Sequence, residues 1–255
     1  MARHPPGVPS STPRSSSGTT TSTFPRSSSS GAGTPADPFR LPGGVHALWT
    51  ARAEGDLGPG AGEPGADARR RAVLDRPWSW ARQVHGAVVL TDPPGADPPE
   101  ADALLAGPDC RRALAVFTAD CAPLALSSPE GLMAAVHAGW RGVAAGVVSA
   151  AASAMRAAGA TRISGALGPC IRVCCYEFGP AELARVEEAV GARVGGTTAA
   201  GRPALDLAAA VGAAASRAGV ELVFDAGACT ACSDRFFSHR ARQEKERQAL
   251  VVWRP

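Results

Sequence analysis

Three residues of types that bind transition metals lie at the ends of separate apolar segments. His85, Cys121 and His137 each stand where a short apolar run gives way to a turn. One cysteine and two histidines are the ligand set of an open zinc site, in which three protein ligands leave the fourth position for water or substrate. Zinc bound in this way lowers the pKa of a water molecule toward about 7. Because the three residues match no local metal-binding pattern, the site requires a fold that brings the segments together.

The same atoms also permit nucleophilic catalysis. Cys121 can act as a nucleophile with His137 as its base. Asp120 would point to the opposite side of a strand, which makes it a poor group for orienting that base. Each residue could also be packed in the core, since free cysteine is among the most buried residue types. The metal and thiolate interpretations compete for one sulfur, and the spacing alone leaves both open.

His137 lies between a predicted strand, residues 132–136, and a predicted helix, residues 142–158. Binding sites on open α/β sheets form at such strand-to-helix turns. Arg141 follows about one helical turn later and is a candidate clamp for phosphate or another anion, with a surface ion pair as the alternative. Gly139 permits close approach of the backbone at this turn.

Further polar residues near predicted strand ends are candidates for substrate contacts. Gln83 lies in the predicted strand at residues 78–84, and Ser238 and Arg240 follow two phenylalanines. For Ser238 and Arg240, a position at the edge of a hairpin is the alternative. The predicted catalytic residues are His85, Cys121, His137 and Arg141, and the predicted substrate-binding residues are Gln83, Ser238 and Arg240.

The chain has seven cysteines, an odd number that argues against a disulfide framework. We therefore expect free thiols and a cytoplasmic location. Cys229 and Cys232 have the spacing of half a zinc site, and Cys170, Cys174 and Cys175 could supply the rest of a structural four-cysteine site. Cys174 and Cys175 would face opposite ways on extended chain, which counts against that site.

Composition limits the class of protein and of partner. The net charge of +3 over 255 residues gives no electrostatic case for binding nucleic acid or an anionic membrane, and we expect no membrane-spanning helix. Residues 1–38, rich in Ser, Thr and Pro, are predicted to be a disordered tail. Residues 39–255 are predicted to form one α/β domain, because strands and helices alternate over its second half. Its other predicted elements include strands at 163–167, 222–224 and 250–253 and helices at 180–190 and 205–218.

Short segments spread over roughly residues 45–255 carry a resemblance to one known family. They are Gln83-Val84-His85-Gly86, Ala101-Asp102-Ala103, Thr118-Ala119-Asp120-Cys121-Ala122-Pro123, Val136-His137-Ala138-Gly139-Trp140-Arg141-Gly142, Leu167-Gly168-Pro169-Cys170-Ile171, Tyr176-Glu177-Phe178-Gly179, Asp206-Leu207, Cys229-Thr230 and Phe236-Phe237-Ser238-His239-Arg240. In their order and spacing they resemble the YfiH/YlmD-like laccase-domain proteins, also called multicopper polyphenol oxidoreductases. That family is now described as purine nucleoside phosphorylases with adenosine deaminase activity.

The resemblance implies a set of expectations. The family's metal ligands fall on His85, Cys121 and His137, with zinc as the metal and copper possible. The implied fold is a single layered α-β-β-α sandwich similar to a cysteine-hydrolase-like toxin. The implied substrates are phosphate and small nucleosides, namely adenosine, inosine and S-methyl-5′-thioadenosine, and the implied second activity is hydrolytic deamination of adenosine.

The sequence also departs from the family pattern, and two other activities stay open. Thr50-Ala51-Arg52-Ala53-Glu54-Gly55 replaces the usual Ser-Thr-Arg-x-Gly-Gly loop, and Arg240-Ala241 replaces a usual Arg-Arg pair. One alternative is a Cys121-dependent hydrolase or peptidoglycan-editing factor. The other is a copper-dependent polyphenol oxidase, although five histidines are too few for the His-rich motifs of true laccases.

Overall fold

The computed structural model describes residue 1 and residues 37–59, 65–93 and 98–255. The predicted disordered tail lies almost wholly outside the described residues. The strands are β1 Phe39–Leu41, β2 Val45–Trp49, β3 Trp78–Ser79, β4 Val89–Thr91, β5 Ala103–Ala106, β6 Ala113–Thr118, β7 Ala122–Ser127, β8 Met133–Ala138, β9 Ile163–Leu167, β10 Gly195–Thr197, β11 Pro203–Leu205, β12 Val220–Asp225 and β13 Gln248–Trp253. The helices are α1 Ala66–Val73, α2 Trp140–Ala145, α3 Val147–Ala157, α4 Pro180–Val190, α5 Leu207–Arg217 and α6 His239–Arg242.

Two mixed sheets form the centre of the fold. One has the strand order β1-β2-β13-β6-β3 and the other the order β12-β9-β7-β8-β5-β4. Most neighbouring strands are antiparallel, whereas β3/β6, β4/β5 and β9/β12 are parallel. Strands β10 and β11 make a separate antiparallel pair. The predicted mixed α/β class is confirmed.

Apolar side chains of both sheets meet in a shared core. Leu114 and Val252 of the five-stranded sheet belong to the same buried cluster as Leu104 and Met133 of the six-stranded sheet. A larger cluster joins the opposite face of the six-stranded sheet to helices α2, α3, α4 and α5. Strands β6, β7 and β8 are buried along their whole length, which explains why they appear in the sequence as continuous apolar runs.

The candidate site residues lie where the chain passes from one sheet to the other. β6 belongs to the five-stranded sheet and β7 to the six-stranded sheet, so the turn at residues 119–121 connects the two. Asp120 in this turn has a φ of 103°, in the left-handed region that few residues other than glycine adopt. Next to β7, strand β8 ends at Ala138, and α2 starts after Gly139.

Two predicted elements differ from the observed ones, and one observed strand has no predicted counterpart. The predicted strand at 78–84 is wrong beyond Ser79, because the backbone N–H groups of residues 84–86 bond to a carboxylate instead of a neighbouring strand. The predicted helix at 142–158 starts earlier, at Trp140, and breaks at Gly146, which has a left-handed φ of 89°. Strand β5 was not predicted, although its residues are all buried and it pairs with both β4 and β8.

Among the described residues, no helix is long and apolar enough to cross a lipid bilayer.

Candidate metal and active site

His85, Cys121 and His137 come together at the junction of the two sheets. Their ligand atoms all lie within 4.8 Å of one another. The Cys121 Sγ is 3.6 Å from the His85 Nε2, and the two imidazole rings meet edge to face with their centroids 4.8 Å apart. His137 is buried, Cys121 is half-buried and His85 is exposed. The cluster therefore has a fixed inner side and an open outer side.

Asp102 organises this cluster, a role that the sequence analysis missed. Its carboxylate accepts a hydrogen bond from the His137 Nδ1 at 2.7 Å and from the backbone N–H groups of Val84, His85 and Gly86 at 3.2, 2.9 and 2.6 Å. Because the carboxylate is an acceptor here, the Nδ1 of His137 carries the proton and the Nε2 is left for a ligand. The available signal in the sequence was an acidic residue directly before a continuous apolar run.

The same carboxylate shapes the backbone around His85. His85 has a φ of 59°, a left-handed conformation that is uncommon for a residue with a side chain. The hydrogen bonds from the three backbone N–H groups to Asp102 hold the turn in this conformation. The His85 imidazole consequently points toward Cys121. Asp102 is 1% exposed, so these hydrogen bonds form in a site that excludes most water.

Gly139 leaves the space in which the ligands approach one another. A Cβ at this position would lie 2.6 Å from the His85 Cδ2 and 3.0 Å from the Cys121 Sγ. Any larger residue would displace at least one of the two side chains. The residues present thus fit a metal ion with two nitrogen ligands and one sulfur ligand, and that donor set suits zinc or copper.

Mutual interaction of Cys121 and His137 shifts the pKa values of both. Burial favours the neutral thiol, but the charge and hydrogen bonds of His137, together with His85, outweigh it and lower the pKa of Cys121 to about 6. Burial also disfavours the imidazolium of His137, but Cys121 and Asp102 outweigh it and raise that pKa to about 9. Without a metal the pair is a thiolate and an imidazolium, and metal binding would release the proton of the imidazolium.

A cavity of about 590 Å³ opens over the three residues, and its lining includes several arginines. Arg82, Arg141, Arg240 and Arg247 all line it. The Arg141 guanidinium stacks over the ring of Trp140 at 4.4 Å, and no carboxylate among the described residues pairs with it. Such a surface favours an anionic ligand beside the cluster.

Arg240 lines the cavity from the side of α6. Its guanidinium lies 4.8 Å from the Tyr176 ring centroid, and its Nη1 donates to the Glu177 carbonyl at 2.9 Å. Its backbone N–H donates to the Asp120 carboxylate at 2.7 Å. Asp120, which was considered as an orienting group for His137, instead ties the start of α6 to the turn that carries Cys121.

Two residues predicted to contact substrate form hydrogen bonds within the protein itself. Gln83 lines the cavity, but its amide donates to the Phe117 carbonyl and accepts from the Phe117 N–H, both at 2.8 Å. Ser238, predicted as a substrate contact, is fully buried and is not among the residues that line the cavity. Its hydroxyl caps α6 by accepting from the Ala241 N–H at 3.1 Å.

The model of a protein family described as multi-copper polyphenol oxidoreductase laccase matches residues 66–255. The chain belongs to this family. The resemblance drawn from the sequence motifs is thereby confirmed.

Curated relatives share the name purine nucleoside phosphorylase. One from Streptomyces coelicolor is 42% identical over 183 residues, which cover 68% of this chain and 74% of the relative. One from Mycobacterium tuberculosis is 38% identical over 195 residues, which cover 73% of this chain and 77% of the relative.

Solved structures of family members share the fold. Neisseria meningitidis protein NMB0706 superposes with a TM-score of 0.71 at 28% identity, covering 83% of this chain and 95% of that protein. YlmD from Geobacillus stearothermophilus superposes with a TM-score of 0.72 at 25% identity, covering 83% of this chain and 92% of that protein.

Proposed function

We propose that the protein is a metal-dependent purine nucleoside phosphorylase that also deaminates adenosine. The observation that carries this proposal is the open cluster of His85, Cys121 and His137 beneath an arginine-lined cavity. Relatives at 38–42% identity that bear the name purine nucleoside phosphorylase support it. We further propose that the two sheets and their flanking helices correspond to the α-β-β-α sandwich of cysteine-hydrolase-like toxins.

His85, Cys121 and His137 would hold the metal, with zinc preferred and copper as the alternative. A zinc ion bound there supplies a Lewis acid with one coordination position open to substrate or water. Asp102 keeps the His137 ring in the orientation and tautomer that a ligand needs. Gly139 keeps the space between His85 and Cys121 clear.

The cavity arginines would bind phosphate, the anionic co-substrate. In phosphorolysis a phosphate oxygen bonds to the ribose C1′, the bond from C1′ to the purine nitrogen breaks, and that nitrogen takes up a proton. Arg141, stacked on Trp140 and free of a carboxylate partner among the described residues, binds and orients the phosphate. Arg240 approaches the cavity from α6 and adds a second positive charge.

Tyr176 offers a hydrogen bond to the nucleoside. It lines the cavity, and burial raises the pKa of its hydroxyl above its ordinary value, which is already well above neutral pH. Its ring is fixed by Phe178, with centroids 5.2 Å apart, and by the Arg240 guanidinium above it. We infer that the protonated hydroxyl donates a hydrogen bond to an acceptor atom of the substrate.

The test is turnover of adenosine and inosine by zinc-loaded protein, with and without phosphate. We expect free base and ribose 1-phosphate only when phosphate is present, and conversion of adenosine to inosine in either case. Arg141→Ala should raise the KM for phosphate about ten- to hundredfold, the effect of losing one charged hydrogen bond, and leave deamination less affected. Arg185→Ala, an exposed arginine on α4, is the matched control. Absence of both reactions in fully loaded protein would refute the proposal.

A second candidate function is a thiol hydrolase. The specific observation in its favour is that Asp102, His137 and Cys121 form an acid–base–nucleophile series with a lowered thiol pKa. In this case Cys121 attacks an amide carbonyl, and His137 transfers the thiol proton to the leaving nitrogen. This candidate predicts activity in metal-free protein that iodoacetamide abolishes, whereas the phosphorylase proposal predicts none in that state.

A further inference from the structure

Four of the seven cysteines gather outside the candidate active site. Cys174 and Cys175 lie in the turn after β9, and Cys229 and Cys232 lie in the loop after β12. Their four Sγ atoms all lie within 4.8 Å of one another. The Cys232 Sγ is 3.1 Å from that of Cys175 and 3.5 Å from that of Cys174.

This arrangement corrects two expectations from the sequence. Cys174 and Cys175 do not point to opposite sides, because they lie in a turn in which the Arg172 carbonyl accepts the Cys175 N–H at 2.9 Å. Alternation of side chains holds only for extended chain. Cys170 is fully buried and does not belong to the cluster.

Backbone pairing brings the two loops together without help from the sulfurs. The Cys170 N–H donates to the Ala228 carbonyl at 3.3 Å, and the Thr230 N–H donates to the Cys170 carbonyl at 3.1 Å. Next to them, the Arg172 Nη1 donates to the Asp225 carboxylate at 2.9 Å. The fold therefore presents the four thiols at one point whether or not they are bonded to anything.

The spacing of the sulfurs suits a tetrahedral ion better than disulfide bonds. Four thiolates around zinc at about 2.3 Å lie about 3.8 Å from one another, which is within the 4.8 Å limit on the observed sulfur–sulfur distances. A disulfide would require one pair at about 2.05 Å and leave the other two thiols unexplained. Cys229 and Cys232 also have the two-residue spacing common in structural zinc sites.

We propose that Cys174, Cys175, Cys229 and Cys232 together bind one Zn²⁺ as a closed, structural site. All four coordination positions are filled by protein, in contrast to the three-ligand cluster under the cavity. Binding forms four zinc–sulfur bonds, and the thiol protons pass to solvent.

This second zinc would brace one wall of the cavity. Cys175 precedes Tyr176, which lines the cavity. Cys229 precedes Thr230, whose hydroxyl donates to the Asp120 carboxylate at 2.7 Å. Both loops of the cysteine cluster thus continue directly into residues that shape the site around Cys121. A zinc ion bound to both loops would fix their positions relative to each other.

The test counts zinc in protein whose first site has been removed. The double variant His85→Ala/His137→Ala lacks two of the three proposed active-site ligands, so the zinc it keeps reports on the cysteine cluster alone. We expect one zinc per chain in this background and almost none after adding Cys229→Ser and Cys232→Ser. Adding Cys110→Ser instead, a thiol outside the cluster, should leave the count at one. The outcome does not depend on whether the protein turns over nucleosides.

A measurement on the wild-type protein covers the case in which the serine variants fail to fold. Iodoacetamide labelling followed by peptide mass spectrometry should show the four cluster cysteines protected until a zinc chelator is added, while Cys110 is labelled in both states.

Cobalt substitution of the His85→Ala/His137→Ala protein should give the intense visible bands of a tetrahedral thiolate site. No zinc in the histidine-substituted background, or a Cys175–Cys232 disulfide in freshly purified protein, would overturn the proposal.

Discussion

Replacing Gly139 by alanine tests whether the geometry of the three-residue cluster is what the site requires. The backbone itself should accept the change, because the φ of −68° and ψ of 159° at this position are ordinary for alanine. The new Cβ, however, would lie 2.6 Å from the His85 Cδ2. A normal carbon–carbon contact is about 3.5–4.0 Å, so the imidazole must move by about 1 Å. Alanine here perturbs the ligands and leaves the surrounding backbone intact.

A shift of this size exceeds what metal coordination tolerates. Ligand distances in zinc sites vary by only about 0.2 Å, so His85 would no longer reach an ion held by Cys121 and His137. We expect zinc affinity to fall about ten- to hundredfold, the range seen when groups that orient metal ligands are removed. The free energy of unfolding should change by less than about 1 kcal/mol, since the exposed His85 ring can swing into the cavity instead of straining the core.

Zinc affinity by chelator competition and stability by urea denaturation should both be measured on Gly139→Ala. Gly107→Ala is the matched control, because a Cβ at that position meets no atom within 4 Å and no backbone strain arises. Wild-type zinc affinity in Gly139→Ala would refute the claim that His85 and Cys121 coordinate the same ion. A large loss of stability would show that the cluster is part of the packed core and that the ring cannot move.

Four further substitutions test the other structural claims separately. Asp102→Asn should lower stability by about 3 kcal/mol in urea denaturation, since an amide cannot accept all four hydrogen bonds, and should weaken zinc binding about ten- to hundredfold; an unchanged zinc affinity would contradict its positioning role. Gln83→Ala should cost about 1–3 kcal/mol for two lost backbone hydrogen bonds while keeping full zinc occupancy, and lost zinc would show that it acts on the metal site. Gly146→Ala should lower the free energy of unfolding by about 1–2 kcal/mol, because its φ is left-handed although nothing lies within 4 Å. Gly212→Ala, within α5, should instead raise stability by about 0.5–1 kcal/mol, and equal effects at both positions would refute the conformational argument.

Elements with their own start and stop signals could be read from the sequence. The predicted and observed bounds of β9 and α4 agree residue for residue. Helix α4 starts with Pro180, and Gly191, directly after its last residue, adopts the left-handed conformation of a helix cap. These signals act over a few residues, so no knowledge of the rest of the fold was needed.

Elements that depend on partners far along the chain could not be predicted from the sequence. Residues 84–86 look like the end of a strand, but their N–H groups bond to Asp102. Strand β5 is too short to stand out and exists because β4 and β8 pair with it. The turn at residues 172–175 was treated as extended chain, and its hydrogen bonds reverse the conclusion about the neighbouring cysteines.

The sequence by itself determined which side chains are candidates for the chemistry, because residue type and order along the chain are enough to nominate His85, Cys121 and His137. Only the tertiary structure decided how close they lie and what orients them. The β5–β8 register pairs Ala103 with Val136, which sets Asp102 beside His137. A distance between residues far apart in sequence follows from strand register and turn geometry. These are set by burial and hydrogen bonding across the whole fold, and no local pattern encodes them.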